Sequence, residues 1–175
     1  MVADAGPAES LEDHIVRFRE LGDRRSTYRP LDMLLERFER ERYPVVGRGA
    51  ETTGKGSRTA EVEAFSIVYL RVEPGKGIGA HAHDTAEVFI PLSGRWQATV
   101  DGQEALLEAW DVISVPPNRM HGLVNIGAEV AFILTVNAGQ AGAPIHFAPG
   151  ILDEVRAAGG LVRDIDYPPG AAPGR

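Results

Sequence analysis

The chain has 175 residues, enough for one compact domain with a hydrophobic core, and it contains no cysteine. Disulfides, thiolate metal sites and thiol catalysis are therefore excluded, and a bound metal must take nitrogen and oxygen ligands. A net charge of -7 disfavours a nucleic-acid partner, because duplex binding depends on Lys and Arg beside the phosphates. No apolar run is long enough to span a bilayer, and the acidic N-terminus is unlike a secretory signal, so we expect a cytoplasmic protein.

Two amphipathic helices are predicted before residue 45. The first covers residues 10–21, where apolar side chains recur at helical spacing, and the second covers residues 30–43 and stops at Pro44. The apolar stripe of the second helix consists of Leu31, Leu34, Leu35 and Phe38. A DNA-binding helix-turn-helix is disfavoured, since the connection over residues 22–30 is long for that motif and the segment has no net positive charge.

After a Gly-rich connection, the sequence becomes a series of short β-branched runs separated by turn residues. About eight strands at this spacing predict an antiparallel sandwich or barrel. Asp101 and Gly102 predict a tight hairpin, because a type I′ turn needs positive φ at both residues. The residues expected in the core are Phe65, Tyr69, Ile90, Val112 and Phe132. A third helix is predicted from residue 149, closed by Gly159.

Two histidines and a glutamate stand close together in the stretch GIGAHAHDTAEVFIPLSG. His81 and His83 are one residue apart, so in a strand both point to the same face, with Cα atoms about 6.5 to 7 Å apart. Glu87 follows after a possible turn and can return to the same side from the next strand. His121 is the best further nitrogen ligand, because it lies between a turn and a strand, whereas His14 is placed on a helix and His146 near the C-terminal helix.

At these residues the sequence resembles the cupin family. The first cupin motif is Gly, five residues, His-x-His, three or four residues, Glu, six residues, Gly, and the positions that match it are Gly75, His81, His83, Glu87 and Gly94. In the second motif, Pro116, His121 and Asn125 match. The two glycines of that motif are replaced by Trp110 and Asn118. Asn adopts positive φ more readily than most residues, so Trp110 is the larger departure. The resemblance covers about residues 62–138.

The resemblance implies a double-stranded β-helix, the jelly-roll barrel of cupins, over residues 59–148. A helical extension (1–58) would precede it and pack on the barrel or on a partner, and a C-terminal helix and tail (149–175) would follow. The resemblance also implies a divalent metal held by His81, His83, Glu87 and His121. Three imidazoles and a carboxylate suit Fe, Mn, Ni, Co, Cu or Zn, and on a six-coordinate ion they leave two open positions.

Three classes of function stay open, because one barrel with one metal site serves many reactions. The short gap between the motifs resembles quercetin dioxygenase-like cupins, which favours an oxidoreductase acting on a small molecule in the barrel, with Glu87 as a catalytic residue. A non-redox lyase, isomerase or decarboxylase is the second class, and a non-catalytic small-molecule binder is the third. No residue identifies the substrate.

Three residues near the motifs have open roles. Arg95 and Arg119 could anchor a carboxylate but are expected to be solvated surface residues, and His146 is expected to be structural.

The apolar stripe of the second predicted helix is not needed by a closed barrel, so we expect a homodimer. No membrane partner is expected.

Overall fold

The computed structural model describes residues 15–21, 34–47, 62, 64–139 and 144–171. Its ten strands, in chain order, are β1 (Glu41–Val46), β2 (Phe65–Val72), β3 (Gly77–His83), β4 (Glu87–Pro91), β5 (Arg95–Val100), β6 (Gln103–Glu108), β7 (Ile113–Val115), β8 (His121–Asn125), β9 (Ala131–Ala138) and β10 (Ile145–Phe147). They form two antiparallel sheets of five strands, ordered β1-β2-β9-β4-β7 and β10-β3-β8-β5-β6. The predicted all-β class is confirmed, and the two sheets have the architecture of the double-stranded β-helix.

The space between the sheets is filled by alternating side chains of both. In β2 every second residue is buried, and Val68, Leu70 and Val72 belong to the same core cluster as Phe89 and Trp96. The predicted core residues were therefore largely on the wrong face, because Phe65 and Val112 are exposed at 37% and 63%. A shift of one residue in the assumed alternation moves every side chain of a strand to the opposite face.

Three tight turns hold non-glycine residues at positive φ. Asp101 (φ 47) and Gly102 (φ 79) join β5 to β6, which confirms the predicted hairpin. Trp110 (φ 76) and Asn118 (φ 62) also lie in the left-handed region. These two residues occupy the positions where the second cupin motif has glycine, so the backbone keeps the conformation of the motif although the residue types differ.

The described part of the N-terminal region departs from the two predicted helices. Residues 15–21 hold one 3-10 turn, Phe18–Glu20. In the second predicted helix Leu34 is α-helical, but residues 35–43 form a 3-10 turn, Glu36–Phe38, and the start of β1 instead of continuing the helix. Residues 10–14 and 30–33 lie outside the described residues. Pro44 is tolerated in β1 because β1 is the edge of the first sheet and a proline removes only one donor there.

The predicted C-terminal helix is confirmed as α1 (Pro149–Ala157), and Gly159 follows it at φ 83. Its buried residues pack against Leu35 and Phe38, which precede β1, and against Tyr167, which follows the helix. That second core cluster consists of Leu35, Phe38, Phe147, Ile151, Leu152, Val155 and Tyr167. Two residues of the predicted apolar stripe, Leu35 and Phe38, are thus covered by this chain itself. No helix in the described part is long and apolar enough to cross a membrane.

Candidate metal centre

A β-bulge in β3 determines where the two histidines of the HAH sequence point. Ile78 pairs with Leu123 and His81 pairs with His121, so β3 has one more residue than β8 over this interval. Without the extra residue, a strand with Ile78 facing the core would place Ala80 on the core face and His81 outside. The bulge therefore turns His81 and His83 inward, where they are 6% and 9% exposed.

Four side chains from three strands meet at one carboxylate oxygen. Glu87 opens β4, and its Oε2 lies 3.6 Å from Nε2 of His81 and 3.4 Å from Nε2 of His83. Nε2 of His121, at the start of β8, is 3.0 Å from the same oxygen. His83 is the most exposed of the three imidazoles, with 10% of its side chain accessible, and His121 the least, with 2%.

The other nitrogen of each imidazole is held by a backbone carbonyl. Nδ1 of His81 donates to Gly79 O at 2.8 Å, and Nδ1 of His121 donates to Arg119 O at 2.9 Å. Nδ1 of His83 donates to Pro144 O at 3.3 Å. Because a carbonyl oxygen can only accept, these bonds place a proton on each Nδ1, so Nε2 is the nitrogen that each ring directs at Glu87.

Burial sets the protonation of the cluster. It lowers the pKa of His81 to about 4, against the opposing effect of its hydrogen bond with Glu87. Burial alone would raise the pKa of Glu87, but the hydrogen bonds with His121, His81 and His83 hold that pKa well below its usual range. At neutral pH the cluster therefore holds a carboxylate and an uncharged His81, which are the protonation states that bind a metal.

The donor set fits a divalent cation. A carboxylate oxygen and an imidazole lone pair at about 3 Å repel each other unless a proton or a cation lies between them, and a divalent cation satisfies all of these lone pairs at once. His81, Glu87 and His121 each offer one ligand atom within 4.8 Å of the others, so these three buried residues could hold a divalent metal. His83 reaches the same oxygen from the more accessible side.

The remaining candidates lie away from this cluster. His146 pairs with Ala82 in the ladder, which places it on the opposite face of the sheet from His81 and His83. Its Nδ1 bonds to Ile165 O at 3.1 Å and its Nε2 lies 3.2 Å from Asp84, so its contacts are structural. Arg119 pairs with Asp101 at the surface, and Arg95 lies 3.8 Å from Glu108. His14 is outside the described residues.

A row of polar side chains lies next to the cluster, and no sequence pattern indicated it. Ser66 pairs with Asn137, and Asn137 pairs with Glu87, so the three side chains lie side by side on the inner face of the first sheet. The next row toward the core is Val68, Thr135 and Phe89, exposed by 4% or less. The cluster therefore lies at one end of a barrel whose neighbouring layer is filled. Only the strand register, which one sequence does not give, could have shown this row.

The fold and the cluster together define an antiparallel β-barrel with a candidate metal site at one end. Residues 68–137 match the family model of the cupin domain, and the protein belongs to the cupin superfamily through this domain. The matched segment contains both predicted motifs and the four clustered residues.

Solved structures similar to this chain include an RmlC-like cupin from Shewanella frigidimarina, with 25% identity, a TM-score of 0.41, and 44% of this chain and 68% of that one covered. A candidate sugar phosphate isomerase from Acidithiobacillus ferrooxidans has 24% identity and a TM-score of 0.41, covering 43% of this chain and 50% of that one. The DMSP lyase DddQ from Ruegeria pomeroyi has 16% identity and a TM-score of 0.48, covering 57% and 47%. This chain thus spans about half the length of the last two. No curated protein matches it.

Proposed function

We propose that this cupin is a metal-dependent oxidoreductase of the dioxygenase-like kind, with a divalent metal held by His81, His83, Glu87 and His121. The observation that carries the proposal is the convergence of three Nε2 atoms on Glu87 Oε2, with every Nδ1 bonded to a backbone carbonyl. Ligands fixed in this way lose little conformational freedom when the ion binds, which favours affinity and a defined geometry.

His83 is included in the ligand set on its contacts. Its Nε2 is 3.4 Å from the oxygen that the other two imidazoles share, and its ring is 4.8 Å from that of His81 between centroids. Among the described residues, the donor atoms of His81, Glu87 and His121 already lie within 4.8 Å of one another, and we propose that His83, which keeps 10% exposure, joins them by a small side-chain shift when the ion binds. A four-residue set leaves two positions of a six-coordinate ion for small molecules.

The protein groups have distinct roles in the proposed reaction. The three imidazoles would hold the ion through their Nε2 atoms. Glu87 is the proposed catalytic residue, because it is the one anionic side chain among the four and can take a proton from a substrate hydroxyl beside it. The bound metal would supply Lewis acidity and, where it is redox-active, electron transfer between a small-molecule substrate and O₂.

Metal analysis tests the ligand set. Protein purified without added metal should contain about one divalent transition metal per chain, and the double variant His81→Ala, His121→Ala should lose it. His146→Ala is the matched control, because it removes a buried imidazole on the other face of the same sheet. Unchanged metal content and affinity in the double variant would show that the site is misassigned.

Oxygen consumption tests the class of reaction. The metal-loaded protein should consume O₂ in the presence of its substrate in a screen of small oxygenated molecules, and the double variant should not. Turnover of a substrate without oxygen uptake would instead indicate non-redox chemistry at the same metal. Full metal content with no turnover across the screen would favour a binding protein.

We further propose that the protein acts as a cytoplasmic homodimer that takes a small-molecule substrate in its barrel. The support for dimerisation is the outer side of the second sheet, where β6 pairs only with β5 among the described residues and Leu106 is 62% exposed. Gln97 lies between Leu106 and Val124 across the strands, so these side chains form one outward row. Leu35 and Phe38, the basis of the sequence prediction, are buried within the chain and no longer support it.

A further inference from the structure

The polar side chains beside the metal centre suggest how a substrate is recognised. Ser66, Asn137 and Glu87 are direct neighbours across β2, β9 and β4, and opposed residues in antiparallel strands have Cβ atoms about 4.5–5.5 Å apart. The Oε2 atom of Glu87 lies within the histidine cluster. The carboxamide of Asn137 therefore lies on the inner wall beside Glu87, and the hydroxyl of Ser66 lies one strand further along the same row.

The hydroxyl of Ser66 and the carboxamide of Asn137 can both donate and accept hydrogen bonds. Among the described residues, neither Ser66 nor Asn137 makes a side-chain hydrogen bond, whereas Thr135 in the next row bonds to Val68 O. Ser66 is 3% exposed and Asn137 is partly buried, so both are largely withdrawn from bulk water. Polar groups at such a depth are usually paired, and a ligand oxygen would supply the partner.

The geometry also determines where a ligand can lie. On the core side of the row, Val68 and Phe89 are fully buried. Side chains therefore fill that layer of the barrel, and we expect a ligand to lie on the other side of the row. The ring of Phe89 is 5.5 Å from that of His121 and closes the cluster from beneath. We expect a ligand to approach the metal centre from the side away from Phe89, where Asn137 and His83 border the cluster.

We propose that Ser66 and Asn137 position the substrate, and that the substrate is a small molecule with an uncharged hydroxyl or carbonyl a few bonds from the oxygen that reaches the metal. A hydroxyl and a carboxamide both donate and accept hydrogen bonds, which matches a neutral oxygen group. No residue of the row is cationic, so a second carboxylate or a phosphate would lack the charged partner that such groups usually have. This inference rests on the proposed metal site.

Binding to the cobalt-loaded protein tests the inference without turnover. The probes are 3-hydroxypropionate and propionate, which share a carboxylate and differ by one hydroxyl, and the readouts are the visible Co²⁺ spectrum and calorimetry. We expect 3-hydroxypropionate to bind the unchanged protein roughly two- to tenfold more tightly than propionate, the usual range for one hydrogen bond. Ser66→Ala combined with Asn137→Leu should abolish the preference and leave the affinity for propionate unchanged.

Two controls keep the outcomes separate. Ser114→Ala removes a hydroxyl from the outer face of β7 and should keep the preference, and Ser66→Thr should retain it because it keeps the hydroxyl. Equal affinities for the two probes in the unchanged protein, or a preference that survives the double variant, would overturn the inference. Failure of Co²⁺ to bind would refute the proposed metal site instead, and spectral changes with both probes show that site to be intact.

Discussion

At the scale of single residues, one substitution can separate the two roles proposed for Glu87, as a metal ligand and as a base. Glu87→Gln keeps the size of the side chain and removes its charge and its basicity. Because three imidazoles already bind a divalent metal, we expect this variant to retain much of the metal while turnover falls by roughly 10² to 10⁴, the scale for loss of a general base. Metal content and rate are measured on the same samples.

The control for this change is Glu129→Gln, which neutralises an exposed glutamate on the loop before β9. It should alter neither metal content nor rate by more than about twofold, since surface substitutions have small effects. A Glu87→Gln protein with full metal and an undiminished rate would remove the proposed role of Glu87. If the metal content falls in parallel with the rate, the main role of Glu87 is to bind the metal and not to transfer a proton.

The acid sensitivity of the metal-free protein also belongs to the residue scale. The pKa of His81 is lowered to about 4 from 6.5 by burial, so between these pH values the unfolded chain binds a proton that the folded chain does not. The free energy of unfolding is therefore unaffected by His81 above about pH 6.5 and falls as the pH drops toward 4, by at most about 1.4 kcal/mol per pH unit. The lowered pKa of Glu87 acts in the same direction at still lower pH.

Urea unfolding of the chelated protein at pH 7, 6 and 5 measures this dependence. His81→Gln should give a flatter dependence over the same range, because the residue that takes up the proton on unfolding is gone. Equal slopes for the variant and the unchanged protein would mean that His81 is not buried as a neutral imidazole.

At the scale of secondary-structure elements, the bulge of β3 is stabilised by contacts from two other parts of the chain. A Cβ placed on Gly79 would lie 2.9 Å from Cε2 of Phe38 and 3.1 Å from Cδ1 of Ile151. Glycine is therefore required by close packing, and Gly79→Ala should lower the free energy of unfolding by about 1–3 kcal/mol, the range for overpacking. Denaturant unfolding of the metal-loaded protein provides the measurement.

The matched control is Gly150→Ala in α1, where the added Cβ meets nothing within 4 Å. Alanine should be neutral or stabilising there by up to about 1 kcal/mol, because it lowers the backbone entropy lost on folding. Adding Phe38→Leu to Gly79→Ala should recover part of the loss by making room for the new methyl group. Equal stabilities for the two alanine variants would contradict the packing argument.

The same elements show which features were predictable from sequence. The Asp101–Gly102 hairpin and the helix closed by Gly159 were predicted because their local residues suffice to define them. The helix expected over residues 30–43 does not continue beyond Leu34 in the described residues, since Leu35 and Phe38 bury against α1, a partner distant in sequence. Local propensity is a weak guide where tertiary contacts decide, and β1 takes Pro44 into a sheet edge for the same reason.

The candidate site was predictable for a different reason. His81 and His83 share a face through alternation alone, and that prediction is confirmed in the structure, but the bulge that selects the inner face depends on pairing with β8. Ser66 and Asn137 carry no motif and are placed beside Glu87 only by the register of β2, β9 and β4. Ligand types follow from sequence spacing, whereas the residues that surround them follow from register.

At the scale of the whole molecule, the described residues form three packed regions, and the edge strand β6 is largely exposed. The barrel core, the cluster around α1 and the small cluster of Leu21, Tyr43 and Val45 cover the first sheet and one end of the second. Within the described residues, β6 has five of its six residues exposed and one neighbouring strand. An exposed edge strand of this length is a ready template for pairing with another chain.

We therefore expect the unchanged protein to be a dimer in light scattering at micromolar concentration, and Leu106→Lys to shift it toward the monomer. A lysine on an edge strand disfavours pairing because its charge must lose water when a second strand approaches. Leu161→Lys is the control, since Leu161 is 82% exposed and lies beyond α1, away from β6. Dimers that persist in Leu106→Lys would show that the interface lies on a surface other than β6. A monomeric mass for the unchanged protein would contradict the proposed dimer. In either case the metal content should stay unchanged, because all four proposed ligands come from one chain.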